Sequence, residues 1–497
     1  MLTLRRSILA LMMGGAVLAL GGAGVPKRIA PTVVPQSGDQ IRAELGLSGL
    51  SGWYLVDIDT GRVIDSANAE RPFVPASVAK LPTAAFALDA LGPDYRFETR
   101  VMAGGPVAGG TVQGDLILRG GGDPELDTDA LAPMARELAQ QGVRGATGDI
   151  VVDGSAILQV PEIDDSQSDD ASYNPSVSGL NLNFNRVHVR WDARKGPDAL
   201  TVKAVAENLS PDVHGVQVAV VGSGGPQFSW QQRGENEVWQ MSQRAYRGRG
   251  ARWLPVKGPE RYAGEVFRDL AAKHGVRVGA IKPPHGRTAG NVLARHRSRP
   301  LGEILRDMLR FSTNLTAEVT GAGATRAIGV GASSLSDSAA VMNAWASSVA
   351  GFPLGDPGFQ LVNHSGLTLR SKVSPRRMVE LLTALARRAP DPGRRHGRLP
   401  GGIAGYLKPH NVAAKSFPLD YDRLDVVAKT GTINFVRGLA GYIATPGGRR
   451  MAFAIFSNDL KRRGAGPQRV NGRWMGRAKG FERALIRNWV LQADRGA

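Results

Sequence analysis

The sequence predicts an α+β fold: an antiparallel sheet flanked by helices and interrupted by a large β-rich insertion. Three observations predict it. Strand-like runs stand at opposite ends of the chain, over residues 52–65 and 426–456. Helical periodicity lies inside them, over about 77–91 and again from Leu301 onward. Between about Phe97 and about Pro284, short apolar runs alternate with Gly-rich turns. The chain has 497 residues, enough for a sizeable core and more than one domain. With 42% hydrophobic and 21% charged residues it reads as globular rather than disordered.

Residues 1–23 read as a cleavable export signal. Arg5 and Arg6 supply the positive start, Ile8 to Leu20 an apolar run too short to span a bilayer, and Gly21 to Ala23 small residues for cleavage. A membrane anchor is the alternative reading. The paired arginines fit a twin-arginine route loosely. No later segment is apolar for long enough to cross a membrane. There is no cysteine, which excludes disulfides, thiolate metal sites and a lipidated Cys. The formal charge is +18, two units of which, Arg5 and Arg6, leave with the signal. Such a surface attracts polyanions. For an exported chain that means an anionic wall or lipid surface before nucleic acid, and solubility alone is the plainer explanation.

Residues 52–65 read as a β-hairpin around Asp59-Thr60-Gly61. A helix is expected from about Ser77 to Leu91, with Leu81, Ala84, Ala85, Leu88 and Leu91 at helical spacing. Pro82 should distort its first turns. Inside the insertion, Gly114–Leu118, Gly148–Val152, His188–Trp191 and Val216–Val221 read as strands, and the polar tract from Gln167 to Ser172 as a loop. Leu301, Ile304, Leu305, Met308 and Leu309 form one amphipathic face ending before Ser312, and Asn314 followed by Glu318 starts another helix. Val426–Thr432, Gly438–Ala444 and Met451–Phe456 read as three strands, the last two joined by a turn at Pro446-Gly447-Gly448. A last helix carries Phe481, Leu485, Ile486, Trp489 and Val490. That stripe suits packing on the sheet better than lying on a membrane.

Pro75-Ala-Ser-Val-Ala-Lys80 places Ser77 and Lys80 three apart at the start of a helix, on one face of it. A hydroxyl becomes a nucleophile when a nearby base takes its proton, and a buried lysine can be that base. A Ser-x-x-Lys arises about once by chance in a chain of this length, so the pair alone also fits a helix cap followed by a surface lysine. Ser-x-Asn occurs at Ser66–Asn68, Ser172–Asn174 and Ser312–Asn314; only the last follows a predicted helix between the insertion and the final strands. Lys429-Thr430-Gly431 alone is a strand running into a turn. Together, Ser-x-x-Lys, Ser-x-Asn and Lys-Thr-Gly in this order, on helix, loop and strand, are the signature of serine β-lactamases and penicillin-binding proteins.

The chain resembles the class C low-molecular-mass penicillin-binding proteins, D-alanyl-D-alanine carboxypeptidases/endopeptidases. The likeness rests on the three motifs and on Leu118–Pro124, Gly148–Asp153, Gly179–Asn183, Asn185 and His364–Thr368, and it spans nearly the whole mature chain. It implies a penicillin-binding/serine β-lactamase-like transpeptidase domain from 24–96 and 285–497, with inserted β-rich domain or domains over 97–284. It further implies an acyl-enzyme on Ser77, with Lys80 as base, Ser312 passing the proton to the leaving D-alanine, and Asn314 orienting the acyl chain. Lys429, Thr430, Gly431 and Thr432 would bind substrate, Lys429 and Thr432 holding the terminal carboxylate. The oxyanion hole would use the backbone N–H groups of Ser77 and Thr432. Lys80 must then be neutral; lowering a lysine pKa to ~7 takes about 4–5 kcal/mol, and burial and Lys429 both act in that direction.

Peptidoglycan stem peptides are the expected substrates and β-lactams the inhibitors, in the periplasm. No nucleic acid, firm membrane anchor, cofactor or metal is expected; neither H-x-x-x-H nor H-E-x-x-H occurs. Oligomeric state is left open. The alternatives are a non-catalytic wall-binding or sensor protein of this fold, or a β-lactamase or esterase of the same fold. No Glu-x-x-Leu-Asn deacylation segment and no G-x-S-x-G elbow is present. Asn363 and Thr368 are mild departures from the family pattern, and His364 replaces a glycine at the expected cleft rim.

Overall fold

A six-stranded antiparallel sheet draws on both ends of the chain. The computed structural model describes residues 36–196, 199–389, 399–412, 424–464 and 471–495; the expected leader, 1–23, lies outside them. Across the sheet the strands run Lys408–Pro409, Asp425–Ile433, Val436–Ala444, Arg450–Asn458, Leu50–Asp57 and Val63–Ala67. Each neighbouring pair is antiparallel. Leu50–Asp57 pairs along its length with Arg450–Asn458, from Leu50↔Asn458 to Asp57↔Met451, so the N-terminal hairpin and the C-terminal strands share one sheet.

Both faces of this sheet are covered, which is why its strands read as nearly unbroken apolar runs. Side chains alternate between the faces. Met451, Phe453 and Ile455 pack with Trp474, Phe481, Leu485 and Trp489 of the helix Gly472–Arg495. Ala452, Ala454 and Phe456 face the other way, into a core with Leu81, Phe86, Ile304, Met308 and Leu382. The apolar stripe of the last helix is thus spent on the sheet, and Arg473, Arg477, Lys479 and Arg483 are exposed.

The insertion is built on a second sheet. Its centre is Glu98–Ala103, Leu116–Arg119 and Ile150–Asp153, with Ile281–Lys282 and Asn291–Arg297 at its edges. The sequence reading ended the insertion at 284, yet the pairing of Asn291–Arg297 with Glu98–Ala103 carries this sheet on to 297. Three three-stranded sheets lie in the same region. So do two helices the sequence reading passed over, Thr128–Gln140 and Pro259–Lys273. Their signals were available: Asp127 caps the first through Ala130 N, Pro259 opens the second, and Leu131 with Met134, and Tyr262 with Val266, fill the core at helical spacing. The Gly-rich run after Arg119 is a structural joint, since Gly122 N donates to the Gly179 carbonyl at 2.8 Å.

One buried ion pair ties the last helix to the strand behind the Lys-Thr-Gly segment. Arg437 and Glu482 are 6% and 2% exposed and meet at 2.8 Å, through two guanidinium nitrogens. Arg437 also donates to Thr432 Oγ1 at 3.0 Å. Replacing Glu482 by Ala leaves the guanidinium buried and uncompensated. The expected loss is about 3–5 kcal/mol of stability, measured by denaturant unfolding; a loss below about 1 kcal/mol would contradict the assignment.

Candidate active site

The chain reaches Ser77 through a strained turn. Ala76 has φ +47°, a left-handed conformation uncommon for a residue with a Cβ. Residues Ala76–Ala79 form a 3₁₀ turn, and the α-helix proper runs Lys80–Leu91. In a 3₁₀ turn, residues i and i+3 eclipse, which stacks Lys80 on Ser77. This division also corrects the expectation for Pro82. It stands in the first turn of the α-helix, where backbone N–H groups have no helical partner, so the proline breaks nothing.

Lys80 Nζ lies 3.0 Å from Ser77 Oγ, 2.7 Å from Asn314 Oδ1 and 2.8 Å from the Ser365 carbonyl. Its side chain is fully buried. An ammonium would donate to all three. A neutral amine can give its two N–H groups to Asn314 and Ser365 and keep its lone pair for the Ser77 hydroxyl. Burial lowers the Lys80 pKa to about 7, against an opposing pull from Glu318.

Ser312 closes the helix Leu301–Phe311 as a left-handed C-cap, φ +63°, a place more often held by glycine. Its Oγ accepts from Lys429 Nζ at 2.9 Å. Lys429, 1% exposed, also donates to the Thr430 carbonyl at 2.8 Å. Its pKa is held well below the usual lysine range, first by burial and then by the charges of Lys80, Lys408 and Arg437. Burial is the first cause of the lowering at both amines, and the repulsion between Lys80 and Lys429 disfavours charging both.

Asn314 opens the helix Asn314–Ala327. Its amide is engaged on both ends: Oδ1 accepts from Lys80, and Nδ2 donates to the Tyr173 carbonyl at 2.8 Å. The insertion therefore touches the site through Tyr173. Gly431 lies against the nucleophile turn, where a Cβ would collide with the Pro75 carbonyl and stand 3.0 Å from Ser77 N. Only glycine lets the Lys429–Thr432 strand edge come this close.

Ser77, Ser312, Asn314, Thr430 and Thr432 line one cleft of about 380 Å³ together with Tyr173 and Arg463. The site residues expected from sequence are brought together, Lys80 and Lys429 beneath the cleft surface. The sequence reading missed Glu318, Ser365, Tyr173 and Arg463. Its expectation for His364 is corrected: the ring is fully buried, with Nε2 2.8 Å from Ser338 Oγ, and burial lowers its pKa to about 3. It packs among helices rather than forming a rim. Among the described residues no group of three or more His, Asp and Glu side chains could hold a metal ion.

Comparison with known proteins agrees with this geometry. The model of the D-Ala-D-Ala carboxypeptidase 3 (S13) family matches residues 40–472. A D-alanyl-D-alanine carboxypeptidase of an Actinomadura species is 30% identical over 441 residues, covering 84% of this chain and 80% of the relative. The D-alanyl-D-alanine carboxypeptidase DacB of Haemophilus influenzae is 26% identical over 429 residues, covering 82% and 85%. The crystal structure of penicillin binding protein 4 from the same organism superposes with a TM-score of 0.72 at 21% identity, covering 91% of this chain and 99% of that one, so the two share the penicillin-binding fold. The chain, then, belongs to the D-Ala-D-Ala carboxypeptidase 3 (S13) family.

Proposed function

We propose that this protein is a serine D-Ala-D-Ala carboxypeptidase and endopeptidase acting on peptidoglycan stem peptides, and that β-lactams acylate it at Ser77. The observation that carries the reading is the buried Lys80 amine 3.0 Å from Ser77 Oγ, in the same cleft as the Ser312–Lys429 pair. A hydroxyl and a base at hydrogen-bond distance are the requirement for an activated nucleophile. Family membership and the β-lactam complex of the Haemophilus influenzae relative support it further.

In this mechanism Ser77 Oγ attacks the carbonyl carbon of the penultimate D-alanine while Lys80 Nζ takes the hydroxyl proton. The carbonyl oxygen gains negative charge and is met by the N–H groups of Ser77 and Thr432. The peptide C–N bond then breaks. Ser312, hydrogen-bonded to Lys429, gives its proton to the departing amine and is reprotonated at the expense of the Lys80 ammonium, so D-alanine or a cross-linked peptide leaves neutral at nitrogen and Lys80 returns to the free amine. Lys429 and the Thr430–Thr432 edge hold the substrate's terminal carboxylate. That anion restores the charge that burial removes from Lys429. Asn314 orients the acyl chain while its Oδ1 holds Lys80. Water then cleaves the ester and frees Ser77.

The catalytic residues lie in the two parts of the chain that flank the insertion, 24–96 and the stretch after the insertion's last paired strand, Asn291–Arg297. The reading places the protein in the periplasm, exported by the leader at 1–23, and its excess positive charge toward an anionic wall. No described helix is long and apolar enough to cross a membrane.

Labelled penicillin should attach to the purified protein with peptide mapping to Ser77, and Ser77→Ala should take up none. Equal labelling of both proteins, or none of either, overturns the assignment. Labelling without D-alanine release from a pentapeptide would favour a non-catalytic sensor.

The acylation rate constant should also depend on pH through Lys80. Its pKa is lowered to about 7, so the base is present above that pH and is lost as pH falls through it, about tenfold per unit on the acid limb. A rate constant flat from pH 5 to 8 would exclude Lys80 as the base.

A further inference from the structure

Glu318 is a fully buried carboxylate to which the mechanism above gives no task. It sits one helical turn beyond Asn314 on the helix Asn314–Ala327, so the two side chains share a face. A buried carboxylate must be compensated by charge or hydrogen bonds. Glu318 binds the next loop through its oxygens: Oε2 accepts from His364 N at 3.0 Å and Oε1 from Ser365 N at 2.8 Å, and the Ser365 hydroxyl also hydrogen-bonds to the carboxylate. The carbonyls of the same two residues face the nucleophile helix. The Ser365 carbonyl accepts from Lys80 Nζ at 2.8 Å, and the His364 carbonyl from Thr83 Oγ1 at 2.7 Å. The segment has little freedom on its other side, because Gly366 has φ +74° and a Cβ there would collide with the Ala76 carbonyl.

We propose that Glu318 is a positioning residue of the catalytic site: it clamps the His364–Ser365 backbone so that the Ser365 carbonyl takes one N–H of Lys80 and the amine lone pair is aimed at Ser77 Oγ. Asn314, from the same helix, takes the other N–H. One helix thus sets two of the three contacts of the base, one directly and one through the clamped loop. The inference rests on the reading of Lys80 as base.

A second consequence is electrostatic. The polar and charged groups around Lys80 are Ser77, Asn314 and Ser365 by hydrogen bond, and Glu318 and Lys429 through their charges. Among the described residues Glu318 is the carboxylate that acts on Lys80, and it favours the protonated amine. Its removal should ease the loss of that proton while loosening the aim of the lone pair.

The variant Glu318→Gln separates these effects from simple damage to the fold. A glutamine can accept from one of the two N–H groups, but presents its own NH₂ to the other. Labelled benzylpenicillin would be used to measure the acylation rate constant of the active fraction from pH 5 to 9, with thermal unfolding followed alongside. The expected result is a fall of about 10–100-fold on the high-pH plateau, as for loss of a geometric support, together with an acid limb displaced to lower pH. A structural role alone would lower the melting temperature or the labelled fraction and leave the rate constant and its acid limb in place. Glu318→Asp, which keeps the charge but shortens the reach, serves as a second variant: it should keep the acid limb near the wild-type position while lowering the plateau. Wild-type plateau and limb in folded Glu318→Gln would overturn the proposal. If the wild-type protein itself takes no label, the reading of the site fails instead, so the two failures are distinguishable.

Discussion

The site depends on one buried amine that, among the described residues, has no carboxylate at contact distance. Lys80 is sealed from solvent, and its three neighbours are a hydroxyl, an amide oxygen and a peptide carbonyl. Such a setting disfavours the ammonium, because desolvation falls on the charged form. Placing a carboxylate directly against Lys80 would stabilise the charge and disable the base. Glu318 is near enough to act on Lys80 electrostatically, yet its oxygens are taken by two backbone N–H groups and the Ser365 hydroxyl.

Much of the surrounding fold holds this arrangement. The two hydroxyls of the site follow or occupy left-handed backbone positions, Ser77 after Ala76 at φ +47° and Ser312 at φ +63°. Each such position costs of order 1–3 kcal/mol. The cores on the two faces of the sheet must outweigh that strain. Tight packing also registers the parts: Gly431 brings the Lys429–Thr432 edge onto the Ser77 turn, and the Arg437–Glu482 pair reaches Thr432 from the far face of the sheet.

The sequence made the main sheet and the three motifs legible because both are local signals. Apolar runs such as Met451–Phe456 announce covered strands. Ser77 and Lys80 are close in sequence, so their spacing already implies contact. What escaped was non-local. Glu318 reads as an ordinary residue at a helix start, and its partners lie 46 and 47 residues away. Tyr173 belongs to a loop whose approach to Asn314 has no sequence signal. His364 looked like a rim residue because nothing in a loop sequence reveals full burial. The helices Thr128–Gln140 and Pro259–Lys273 escaped for another reason: their periodic residues were present, but the surrounding Gly-rich runs drew the whole region toward strand.

The central claim is that burial brings the Lys80 pKa down to about 7, so that the free amine is well populated at neutral pH. The most direct test is an NMR titration of the Lys80 side chain, following its ¹³Cε shift in lysine-labelled protein and assigning the signal by Lys80→Arg. The account predicts an inflection near pH 7, several units below a free lysine. A Lys80 that stays charged beyond pH 9 would contradict it.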